Sequence, residues 1–182
     1  FKKFSSKAGK ENVRFISGIT PEGVVFFEDT LEILADKTII IEDEYGMVGN
    51  AILSIIRDDA INSGFDLFSC YCPTKPNSKL ETIIIPELRL AFTVSNNYHN
   101  IKNLKDIQVI HSKRFLNTSS EEIRKQRIGF DNKLKHELIN ESISNLEKAK
   151  STHDELESLY SMCMDYNKIN LLTEKLKNNI FK

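Results

Sequence analysis

The stretch Glu42-Asp43-Glu44-Tyr45-Gly46-Met47-Val48-Gly49-Asn50-Ala51 is where this sequence comes nearest to doing phosphate chemistry. It follows an apolar run and opens an amphipathic one. A glycine-bearing turn between a strand and a helix can hold phosphate on backbone N–H groups and on the positive helix end. Such a loop also needs a lysine for the terminal phosphates and a hydroxyl for magnesium. Here the segment supplies three acids, no lysine and no Ser or Thr. The position is right and the chemistry is not.

Other chemically capable residues are scattered. Cys70 and Cys72 are two apart and Cys163 is remote, which is no zinc or redox spacing and reads as two buried thiols at a sheet end. The four histidines, His99, His111, His136 and His153, show no ligand spacing. His153 sits among acids in His153-Asp154-Glu155-Leu156-Glu157, where a proton carrier is one reading and a helix surface the more economical one. Glu87, after Pro86, could orient a water in an active NTPase, but with no phosphate cradle beside it a turn or cap role is preferred. Lys102, Lys105, Lys113, Arg114, Arg124, Lys125 and Arg127 form the one basic concentration. Aromatic interleaving is sparse, so a solvated face is expected there and no nucleic-acid surface.

The elements that would position these residues fall into two halves. All four Pro and six of the seven Gly precede residue 90, whereas the sequence from Ser119 is dense in Glu, Lys, Leu and Asn. Residues 1–115 read as an α/β core and 116–182 as a helical arm. Lys37-Thr38-Ile39-Ile40-Ile41 has the continuous apolar character of a strand buried on both faces. Residues 51–61 follow as a helix, with Ile52, Ile55, Ile56, Ala60 and Ile61 on one face and Ser63-Gly64 as its stop. Phe65–Cys70 reads as the next strand, and strand–helix–strand makes parallel pairing the default. Two further extended segments, 82–85 and 88–94, are split by Pro86. Thr20-Pro21 resembles a capped helix entry, with Val24-Val25 arguing for a strand instead. In the arm, a helix starts near Ser119 or Ser120 and runs past His153, Met164-Asp165-Tyr166 turns the chain, and 167–181 returns as a second helix. The expectation is a helical hairpin.

Composition adds limits. The chain has 182 residues, 40% hydrophobic and 28% charged, with a formal charge of -1. These values fit a soluble globular domain and supply no overall field toward nucleic acid or membrane. No apolar stretch is long enough to span a bilayer. The basic start lacks the apolar run of a secretory signal and has no initiator Met, so it reads as a piece of a longer polypeptide. Three unevenly placed cysteines fit a reduced, cytoplasmic setting.

The order of several pieces is also suggestive: Phe15, Ser17 and Ile19–Val25 near the start; Cys72-Pro73; Ile84-Ile85-Pro86-Glu87-Leu88; Ala149-Lys150; His153–Glu157; Met164-Asp165-Tyr166 with Lys168. Over roughly residues 13–181 the sequence resembles the second half of a bacterial family of predicted ATP-binding, ATPase-like proteins with two tandem P-loop NTPase-like halves. The resemblance implies a three-layer P-loop NTPase-like core with a mostly parallel sheet. It also implies ATP and magnesium as the family's ligands, and an intact P-loop half of the same polypeptide, or a homo-oligomer mate, as partner. His99 and His153 match family histidines. In the loop, Gly46 falls on a glycine that the family keeps. Asp43 and Val48 stand where the family has glycines, Gly49 where it has the phosphate-binding lysine, and Asn50 and Ala51 where it has hydroxyls. Val94 takes the place of a magnesium-directed aspartate. Triphosphate beside Glu42, Asp43 and Glu44 would meet repulsion of about 4 kcal/mol per charge pair at roughly 4 Å and an effective dielectric near 20. Carboxylates at a helix start instead satisfy its free N–H groups. The expectation is therefore a degenerate P-loop domain that has filled its own anion site, binds no cofactor and supports or regulates an intact half. Two alternatives are an active enzyme to which this half contributes in trans through His99, Glu87 or the basic segment, and an interaction module working through the helical hairpin.

Overall fold

The computed structural model describes residues 7–44, 46, 48–96, 101, 104–115 and 121–181. Strand β1 (Glu11–Arg14) is followed by an antiparallel hairpin of β2 (Ser17–Thr20) and β3 (Gly23–Phe26), then by the short helix α1 (Glu28–Leu34). Strand β4 (Lys37–Glu42), helix α2 (Gly49–Asn62) and strand β5 (Leu67–Tyr71) come next. Strands β6 (Leu80–Ile85) and β7 (Leu90–Ser95) are joined through a 3-10 turn, Pro86–Leu88. Strand β8 (Ile107–His111) completes a six-stranded sheet in the order β1-β5-β6-β7-β4-β8. All neighbours pair in parallel except β6, which runs opposite to both β5 and β7. The fold is α/β with a mostly parallel sheet.

Both sheet faces are buried, which is why β4 and β6 carry the uninterrupted runs Ile39–Ile41 and Ile83–Ile85 instead of alternating. On one face Ile41, Ile83, Ile85, Phe92 and Val94 pack with Leu53 and Ala60 of α2. On the other, Ile40, Ile84 and Ala91 pack with Ile16, Leu31 of α1, Ile101 and Leu104. Successive isoleucines thus feed opposite cores. The strand–helix–strand unit is parallel as expected, although β6 and β7 are interposed between β4 and β5.

Three local expectations change. Residues 20–26 form the β2–β3 hairpin, not a helix entry: Pro21-Glu22 make the turn, Gly23 takes a φ of +119°, and the Thr20 hydroxyl donates to the Gly23 carbonyl at 2.9 Å. The β-branched pair Val24-Val25 favours extended backbone, and that preference wins. In α2 the buried anchor is Leu53, whereas Ile55 is 63% exposed. The helix begins two residues earlier than its apolar pattern suggests, and the face centred on Leu53 meets the sheet.

The arm is a single 43-residue helix, α3 (Glu121–Cys163), about 65 Å long at 1.5 Å per residue. Asp165 caps a second helix, α4 (Tyr166–Ile180), by accepting from the Lys168 N–H at 3.2 Å. The early part of α3 lies against β2. The expected return of α4 along α3 is not seen, and α4 has no buried residue. The apolar positions of α3, Ile128, Leu134, Leu138, Ile143 and Leu146, drift around the helix and leave no straight seam for a partner helix. No helix among the described residues is long and apolar enough to cross a membrane.

Candidate functional site

The C-terminal ends of β4, β5 and β7 and the start of β6 share one sheet edge, where open α/β sheets place ligands. A cleft of about 400 Å³ lies there, inside the usual range for small-molecule pockets. Its floor is the β4–α2 loop, one wall is the β5–β6 loop, and its cover is the β2–β3 hairpin with α3.

The loop is organised by Asp43, which is 2% exposed. Its Oδ2 accepts from the backbone N–H of Val48 at 3.0 Å and of Gly49 at 2.7 Å, at the start of α2. Its carbonyl accepts from the Gly46 N–H at 3.1 Å. The carboxylate therefore occupies the N–H groups and positive helix end that a phosphate would use. Its other oxygen, Oδ1, is buried without a hydrogen-bond partner. Of the three acids expected at the helix start, this one alone takes the place. Glu42 pairs with His111 of β8, and Glu44 pairs with Lys113 at 2.8 Å.

The remaining loop positions are equally specific. Val48 keeps ordinary right-handed backbone angles, so the loop makes no glycine-only turn there. Gly49 is pressed against β7: a Cβ on it would lie 2.6 Å from Val94 Cγ2 and 3.2 Å from Asp43 Oδ2. No lysine fits at 49 without displacing the sheet. Asn50 ties the helix to the neighbouring strand by accepting from the Leu80 N–H at 2.8 Å, while Ala51 is exposed. Gly46 faces Lys79, whose Nζ would lie 3.3 Å from a Cβ built there. Val94 is buried in the sheet core.

Around the cleft the structure assembles groups that the sequence did not single out. Lys75 and Lys79 come from the β5–β6 loop and Lys135 from α3. That loop is internally braced: the Cys72 N–H donates to the Lys79 carbonyl at 2.8 Å, Lys75 N–H to Cys72 O at 2.9 Å, and Lys79 N–H to Lys75 O at 3.1 Å. Lys135 is exposed as a residue. Even so, partial burial at the cleft, reinforced by the nearby charge of Lys79, holds its pKa below the ordinary lysine value. The buried Glu81 accepts from the Ser17 hydroxyl at 2.5 Å. Asn96 lines the cleft at the end of β7. The absence of an offsetting lysine, read from the loop's own residues, is thus corrected: the charge arrives from elements distant in sequence. A turn-rich Lys75-Pro76-Asn77-Ser78-Lys79 directly after a strand was the available signal.

The other candidates do not converge here. Glu87 lies in the turn between β6 and β7, at the Lys37 end of β4, so the length of that strand, roughly 16 Å, separates it from the loop. His99 lies outside the described residues. His153 is exposed on α3, its ligand atom within 4.8 Å of those of Asp154 and Glu157, as exposed acidic helix faces often are without an ion. Cys70 is buried in the sheet, and burial, with the charge of Glu81, pushes its thiol pKa up to about 12. Cys72 is also buried, its Sγ 3.1 Å from Thr74 Oγ1, whereas Cys163 is exposed. Of the basic segment, Lys113 is engaged by Glu44. The side chains of Lys102, Arg124 and Lys125 lie outside the described residues.

Compared with known proteins, the chain matches no family model, no curated protein and no solved structure.

Proposed function

We propose that this chain is a P-loop-like α/β domain that has given up nucleotide chemistry and acts as a supporting or regulatory half beside an intact nucleotide-binding half. That half would belong to the same polypeptide or to an associated copy. The observation that carries the reading is the Asp43 carboxylate seated on the Val48 and Gly49 amides. A triphosphate would have to displace a buried anion from the helix start and would find no lysine at 49 and no carboxylate at 94 for magnesium. Isothermal calorimetry of the chain with ATP and magnesium tests it. No saturable heat at millimolar nucleotide is expected, and tight magnesium-dependent binding would overturn the reading.

A second reading, a helical interaction module, draws on α4. This helix carries Ile169, Leu172, Leu176 and Ile180 at one-face spacing, all exposed. Sedimentation of the chain with and without residues 164–182 separates the two. Loss of an assembly on truncation favours the module, and identical behaviour removes its support.

A further inference from the structure

We propose that the arm pairs two copies of this chain: α4 of one copy lies along the outer end of α3 of a second copy, and the reciprocal contact closes a two-fold dimer. This rests on the interaction-module reading above and deepens it by naming the partner.

Apolar surface is concentrated at the end of the arm. Among the described residues, 12 of the 23 large apolar side chains that stand exposed lie between 156 and 181. A patch of that size on a globular chain marks a surface that another molecule covers. On α3 the stripe is Leu156, Leu159, Tyr160 and Cys163, which the helical repeat of 3.6 residues places on one side. The β2–β3 turn, Pro21-Glu22, borders the opposite side of α3 at Lys150, Ser151, Asp154 and Ser158, so the core of the same chain leaves the stripe uncovered. On α4 the stripe is Ile169, Leu172, Leu176 and Ile180, and no residue of that helix is buried.

Charge selects the occupant. From Ser151 to Cys163, α3 carries Asp154, Glu155 and Glu157 and neither Lys nor Arg. Helix α4 carries Lys168, Lys175 and Lys177 against the single acid Glu174. Helical positions put Glu155 and Glu157 on the two edges of the α3 stripe. Lys168 and Lys175 take one edge of the α4 stripe and Lys177 the other, while Glu174 falls behind. Laying α4 on the α3 of a second copy therefore sets bases beside acids along both edges. Pairing α4 with α4, or α3 with α3, sets like charges together. The two stripes also match in length, each running about 20 Å at 1.5 Å per residue. A two-fold operator makes the contact twice. Within one chain this contact would be the hairpin that α4 does not form. Between chains it is an exchange of identical elements, a low-cost route to a dimer. The interface joins arm to arm and touches no core residue.

Sedimentation equilibrium of the whole chain, from micromolar to submillimolar concentration, tests this, with circular dichroism confirming the helix content of each variant. A monomer–dimer equilibrium is expected. Leu172→Ser combined with Leu176→Ser should weaken it about tenfold or more, as loss of two leucines from a contact does. Two charge reversals identify the arrangement. Glu155→Lys with Glu157→Lys in one variant, and Lys168→Glu with Lys175→Glu in another, should each weaken association. An equimolar mixture of the two variants should regain it, because each then meets opposite charge along both contacts. A whole chain that stays monomeric at every concentration would overturn the proposal. So would reversed variants that dimerise alone as tightly as wild type, or a mixture no tighter than its components. Association that survives the reversals and is lost on removing residues 164–182 rejects this pairing of α4 with α3 and leaves the interaction module standing.

Discussion

Replacing Asp43 by alanine tests whether the loop depends on its internal anion. The variant removes two charge-assisted hydrogen bonds, at 3.0 and 2.7 Å, from the N-terminus of a 14-residue helix. Hydrogen bonds to a charged group contribute about 1.5–3 kcal/mol each in net terms. Against that stands the cost of burying a carboxylate with one orphan oxygen, several kcal/mol, which the variant recovers. Water can reach the freed amides through the adjoining cleft, which limits what their exposure costs. The net loss should fall near the upper end for helix caps, about 2 kcal/mol. In a chain of this size that corresponds to a melting shift of about 4–8 °C. Asp43→Asn keeps an acceptor of the same shape and loses the charge, so about half that loss is expected. Urea denaturation followed by circular dichroism reads both, and an unchanged slope against denaturant confirms that the comparison concerns stability. Asp43→Ala as stable as wild type would refute the reasoning, because a helix start that needs no carboxylate is not an anion site filled from within.

Four further outcomes are expected. Gly49→Ala should destabilise by about 1–3 kcal/mol, as overpacking does, because its Cβ would meet Val94 at 2.6 Å; a melt equal to wild type would contradict the contact. Leu53→Ala, at a fully buried site, should cost about 2–5 kcal/mol in urea denaturation, and a cost below that of Ile55→Ala would reverse the assigned face of α2. The Cys70 thiol, ordinarily near 9.0 and here about 12, keeps its proton when folded while the unfolded chain loses it. Stability should therefore fall from pH 9 upward by roughly 1.4 kcal/mol per unit from this group, and a Cys70→Ala chain with the same alkaline slope as wild type would exclude the effect. Deleting residues 164–182 should leave the thermal midpoint of the core unchanged by calorimetry, since α4 buries nothing; a clear drop would show packing of α4 on the rest of the chain.

What could be read from the sequence follows the range of the interactions involved. The β4 run, the α2 segment, the Pro86 break and the Asp165 turn are announced by residues next to one another, and the elements appear there. The expected helix after Thr20 failed because a Pro at the second position suits a hairpin turn as well as a helix start, and local signals do not rank the two. Strands β1 and β8 are short and mixed in character, and they exist because β5 and β4 offer edges to pair with. The closing of α4 on α3 was inferred from two apolar stripes, and a stripe states that a face wants cover without naming the cover.

The candidate site divides along the same line. That the loop carries three acids and no lysine, Ser or Thr is visible in ten consecutive residues, and Asp43 performs the role its position suggests. That the loop's surroundings are rich in lysine is invisible there, because Lys79 is some thirty residues downstream and Lys135 lies on another element. Position 49 offers no lysine to a terminal phosphate, and the closeness of Gly49 to Val94 leaves no room for one. Lys75, Lys79 and Lys135 line the same cleft, and Lys79 approaches the loop itself at Gly46. A P-loop nucleotide site at this place would need at least three coordinated changes, at 43, 49 and 94, each at a buried position.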